Sequence, residues 1–167
     1  MEKFVASFKQ QGIINDLADI LNESEELMLK AQILKIEKET SSNYVICTIN
    51  NLQGLEINKV AETLGEHWKT NKIIEDKRIL ILIAKEEQKA SIIIGKDEKS
   101  LISNKEIQDI INKEMIPKLK AADYHLSLAK GIKEVQHRSN AQIKESSNAN
   151  FWYMVVISFV LLIILFF

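Results

Sequence analysis

The chain has 167 residues, enough for one domain plus an appendage. Its 22 basic and 23 acidic side chains nearly cancel, leaving a net charge of −1 and no long-range pull toward nucleic acid. A lone cysteine, Cys47, excludes an internal disulfide and a zinc site built from cysteines alone.

The first residues are polar and lack the uninterrupted apolar stretch of about 7–15 residues that a signal peptide needs. On that ground the chain is expected to start in the cytosol. Asn22 followed three residues later by Glu25 is a capping pair, and it predicts a helix. Leu27, Ala31 and Leu34 lie on one line at helical spacing and are expected to face the core, with Glu26, Lys30 and Lys35 outside. Residues 44–49 are β-branched and aromatic, a strand pattern, and they place Cys47 as a buried structural thiol. A second helix is expected over 56–69, with Ile57, Val60, Ala61, Leu64 and Trp68 inward. Residues 79–84 are continuously apolar, as in a strand covered on both faces. The polar connector 85–88 and the apolar run 90–94 then predict a hairpin. Ser103 and Glu106 form a second capping box, opening a helix that carries Ile107, Ile110, Ile111 and Met115 and breaks near Pro117. Asp123 caps a last helix over 124–136, with Leu126, Leu128, Ala129, Ile132 and Val135 apolar. Residues 139–150 read as a polar linker or a frayed helix end.

Residues 151–167 contain no charge, glycine or proline. They read as a transmembrane helix at the short end of the usual length range. Phe151, Trp152 and Tyr153 stand at its head and Phe167 ends it. Lys133, Arg138 and Lys144 precede it, so the positive-inside rule expects a single-pass C-terminal anchor with the domain in the cytoplasm and the lipid bilayer as a partner. The five glycines are dispersed and form no phosphate loop, and His67, His125 and His137 lack metal-ligand spacing. No catalytic group is identifiable from these patterns alone.

One ordered set of residues goes further: Asp16 and Ala18 near the start, Trp68, Asp76 eight residues on, the strand 79–84, then Gly95, Pro117, Asp123 and Tyr124. This set resembles the TPM domain family over about residues 13–131. The resemblance implies a three-layer α/β/α sandwich around a small mixed sheet, followed here by one C-terminal transmembrane helix. It divides the chain into an N-terminal segment 1–12, a domain 13–136, a linker 137–149 and the span 150–167. It also implies either a non-enzymatic interaction or accessory module on a membrane complex, with membrane protein partners, or a divalent-metal-dependent acid phosphatase. In the second case calcium or magnesium would be held by Asp16, Asp76 and Asp123, hard oxygen ligands that stabilise phosphoryl charge. The family patterns Asp-x-Ala-Gly and Asp-Asn-Gly are only partly kept. Asp19 replaces the first glycine, and Lys77 and Arg78 follow Asp76. As plain structural residues, Asp16 and Asp76 read as turn residues and Asp123 as a helix cap.

Overall fold

A computed structural model describes residues 1–40, 42–68, 78–95 and 101–166. Four strands form one sheet in the order β1 (Ile14–Asp16), β2 (Asn43–Ile49), β3 (Arg78–Ala84), β4 (Lys89–Ile94). The first three run parallel, and β4 folds back antiparallel on β3 as the expected hairpin. β3 is buried along its whole length because both faces are covered, which is why its sequence is continuously apolar rather than alternating.

Alternate residues of β2 and β3 feed two cores. Cys47, Ile49, Leu80 and Leu82 pack with α1 (Glu2–Val5) and α3 (Ile57–His67). Tyr44, Ile46, Ile79, Ile81 and Ile83 pack with α2 (Glu23–Thr40) and the C-terminal helices. Trp68 closes the first core, its indole N–H donating to the Phe8 carbonyl at 2.8 Å. The architecture is a mixed α/β fold on a four-stranded sheet.

The second core shows a reversal in α2. Leu29, Ile33 and Ile36 are its buried residues, the first two at 0 % exposure. The row expected to face inward is outside: Leu27 is 61 % exposed, Leu34 47 %, and Ala31 is exposed as well. The two rows have the same spacing and lie two residues, about 200°, apart on the helix. Helical periodicity therefore fits either face, and only docking on the sheet selects one. The capping pair is formed: the Asn22 side-chain Oδ1 accepts the Glu25 N–H at 3.0 Å, and the Glu25 carboxylate accepts the Asn22 N–H at 2.9 Å. β1 is a further departure, a three-residue edge strand too short to register as a pattern.

Instead of breaking at Pro117, the chain passes from α4 (Asn104–Ile110) through a π-helical turn (Ile111–Met115) into α5 (Ile116–Lys120). The wider turn admits proline, which lacks an N–H to donate, early in the segment that follows. At the start of α4 the Ser103–Glu106 box is complete. Bonds from the Ser103 hydroxyl and backbone N–H hold the Glu106 carboxyl below its usual range. A carboxylate lowered in the folded state contributes stability above the unfolded value, which is lost as pH falls through the folded one. Ser103→Ala is expected to cost about 1 kcal/mol at neutral pH. In urea titrations the gap to wild type should narrow on acidification below pH 4.5, and a pH-independent gap would contradict this account.

The last helix, α6, runs unbroken over Tyr124–Phe166, so residues 139–150 are helical and not a coil linker. The expected transmembrane helix is corrected here. Among the described residues no helix is long and apolar enough to cross a membrane. The helical part of the apolar run, 151–166, reaches only about 24 Å at ~1.5 Å per residue, against a hydrocarbon layer of about 30 Å. Before it the same helix carries Lys144 and Glu145. Phe151, Trp152 and Tyr153 lie within α6, and Phe167 lies outside the described residues. The single-pass anchor, and the cytoplasmic placement that rested on it, are not supported.

Candidate functional site

In open sheets with parallel strands, ligand sites form beyond the carboxyl ends of those strands. That edge holds Asp16 at the end of β1 and Thr48 beside it on β2, paired in register. The chain turns sharply between Asp16 and α2, and the Asp16 carboxylate organises the turn. Its Oδ2 accepts the N–H groups of Ile20 and Leu21, each at 2.9 Å. Its Oδ1 accepts the Thr48 hydroxyl, and Thr48 Oγ1 in turn accepts the Ala18 N–H at 3.2 Å. Asp19 within the turn has φ of 49°, the left-handed conformation that glycine adopts freely and that aspartate tolerates better than most residues. The family pattern's glycine at this place has that backbone reason, and Asp19 meets it.

The polar connector between β3 and β4 also belongs to this edge. Lys85 Nζ donates to the Ala18 carbonyl at 3.4 Å, and Glu87 Oε1 accepts the Leu52 N–H at 2.9 Å. Asn51 Nδ2 donates to Glu86 Oε1 at 3.3 Å. Sequence patterns give no signal for these ties, because partners such as Ala18 and Lys85 are far apart in the chain. Asn15 was also missed. It is buried, donating to the Gly12 and Ile46 carbonyls at 3.0 Å and accepting the Gln11 N–H at 2.6 Å, and so holds the N-terminal segment to the sheet. Cys47, fully buried, is the structural thiol expected. Burial, and secondarily the Asp16 charge, push its pKa to about 12, which leaves it unreactive in the folded chain.

Asp123 caps α6, its Oδ1 accepting the Leu126 N–H at 3.1 Å. Two side-chain bonds, Gln32 to Ala129 and Gln136 to Glu39, each link α2 to α6 across 97 positions, so the two helices run parallel. Continuing that register puts Asp123 beside the first turns of α2, at the same end of the molecule as Asp16. The two aspartates occupy separate turns, each engaged with backbone N–H groups. Asp76 and Lys77 lie outside the described residues. Among the described residues no group of three or more His, Cys, Asp or Glu side chains is placed to hold a metal ion.

The TPM domain matches residues 14–138 of this chain. Among solved structures, the N-terminal domain of a P. gingivalis protein is similar with a TM-score of 0.71 and 14 % identity, over 86 % of this chain and 90 % of that one. A protein of the psychrophilic bacterium Bizionia argentinensis follows at 0.61 and 18 %, over 73 % and 83 %. The N-terminal domain of a Corynebacterium glutamicum protein gives 0.57 and 15 %, over 78 % and 82 %. At these identities the likeness concerns the fold alone. None of the curated proteins compared with the chain matches it.

Proposed function

This chain belongs to the TPM domain family, and we propose that within it the domain acts as a non-enzymatic interaction module that docks a protein partner. The outer face of α2 carries this reading. Leu27, Ala31 and Leu34 stand in one exposed row, and Met28 beside them is 51 % exposed. Scattered exposed leucines are ordinary, but a continuous apolar row on a helix already docked through its opposite face is a surface left for a partner. Glu23, Glu26, Lys30, Lys35 and Lys38 on the same helix supply charges of both signs around it, as at the polar rim of an interface. The role of Asp16 as the acceptor that folds the β1–α2 turn agrees with a structural rather than a catalytic carboxylate.

A photo-cross-linking side chain placed at position 27 or 34 in the producing cell should give one discrete protein adduct. The same probe at Glu62, exposed on α3, should not. Equal adducts at all three positions, or none, would remove the basis for the reading. Hydrolysis of 4-nitrophenyl phosphate that needs calcium or magnesium, and that disappears in a folded Asp16→Asn variant, would establish the acid phosphatase instead.

A further inference from the structure

The exposed face of α2 has an internal symmetry. At about 100° per residue, Glu23, Leu27, Ala31, Leu34 and Lys38 fall within a strip about 80° wide. All five are exposed. From one end of the helix to the other the strip runs acid, leucine, alanine, leucine, base. Glu23 and Lys38 are equidistant from a point between Lys30 and Ala31, and Leu27 and Leu34 are equidistant from the same point. Acidic residues in the second half of the helix are turned aside. The Glu37 carboxylate accepts a bond from the Tyr44 backbone, and Glu39 lies 3.5 Å from the Gln136 amide on α6. Lys35, exposed on the flank, reinforces the basic end.

Turning a copy of this helix end for end brings Leu27 onto Leu34 and Glu23 onto Lys38. It does so twice, as a two-fold axis requires. Antiparallel packing through this face sets the leucine pairs about 5 Å along the helix on either side of the axis, and the ion pairs about 11 Å. Ala31, beside the axis, carries only a methyl group, which lets the two helices approach closely. A partner of different sequence would impose no common centre on the two kinds of pair.

We infer that the partner docked by the outer face of α2 is a second copy of this chain, held antiparallel across a two-fold axis near Ala31. This rests on the docking reading of the same row and adds the identity and orientation of what fills it.

The row is short, so the pairing is weak and is measured at high protein concentration. Sedimentation equilibrium of the full chain up to about 1 mM should show a monomer–dimer equilibrium that weakens as salt is raised. Glu23→Lys alone and Lys38→Glu alone each set like charges together at both ends, and each should weaken dimerisation about tenfold. Mixing the two variants restores opposite charges at both contacts and should recover the wild-type affinity as a heterodimer. Association through another surface, the apolar end of α6 included, would not answer to these exchanges. A photo-cross-linking side chain at position 27 should give an adduct of twice the chain mass, joined to segment 31–35 of the second copy, which holds Leu34. A chain that stays monomeric, a dimer of equal affinity in both single variants, or a link through another segment would overturn the inference. A discrete adduct to a different protein would overturn it while leaving the docking reading in place, whereas no adduct would remove both.

Discussion

Asp16→Ala is expected to lower folding stability by about 3 kcal/mol, the sum of several part-buried donors left unpaired and softened by access of water. The substitution strips acceptors from the N–H groups of Ile20 and Leu21 and from the Thr48 hydroxyl at once. Asp16→Asn keeps one carbonyl oxygen and should lose roughly half as much. Because Thr48 Oγ1 also accepts the Ala18 N–H, Thr48→Val should couple with Asp16→Ala, the double variant losing less than the sum of the singles. Urea unfolding with and without millimolar calcium separates a turn-building carboxylate from a metal ligand. The expected loss is the same in both conditions. A loss seen only with calcium present would move Asp16 into a metal site and reopen the phosphatase reading.

Ile33→Ala should cost about 3–4 kcal/mol, whereas Leu34→Ala, one residue along the same helix, should stay within about 0.5 kcal/mol. Ile33 is enclosed by the second core and leaves a cavity when truncated, while Leu34 projects outward. The pair checks which face of α2 meets the sheet, and so which face remains for a partner. Comparable losses in the two variants would return Leu34 to the interior and remove the proposed docking row. If the proposal holds, Leu34→Ala combined with Leu27→Ala should abolish the adduct formed by the same cross-linking side chain placed at Ala31, exposed in the same row, without changing the urea midpoint.

Much of the fold was legible in the chain because its signals are local. The capping pairs Asn22–Glu25 and Ser103–Glu106 mark helix starts through side chains that reach only three residues, and both form as expected. The apolar runs of β2, β3 and β4 fit strands buried on a sheet, and the short polar connector makes a hairpin. The role of Asp123 as a cap follows equally from its place before a helical pattern. The candidate site was less legible. Asp16 was singled out, but its partners Thr48 and the Ile20 and Leu21 amides meet only once β1 lies beside β2 and the chain turns into α2. Lys85 and Glu87 lie in the polar connector of the hairpin, and their contacts with Ala18 and Leu52 join residues far apart in the chain.

The apolar tail shows the same division. Its composition alone matches a membrane helix, yet it is the end of α6, which packs against α2 through its first turns. By itself the sequence determined where the capped helices start, that β2, β3 and β4 are strands, and the family to which residues 14–138 belong. The tertiary structure decided which of two equivalent apolar rows of α2 is buried, how Pro117 is accommodated in the helical segment that follows a π turn, and that Asp16 serves as the acceptor of a turn. Caps and strand runs depend on neighbours a few residues away. The face of a helix, and the state of a carboxylate, depend on groups that only the folded sheet brings into contact.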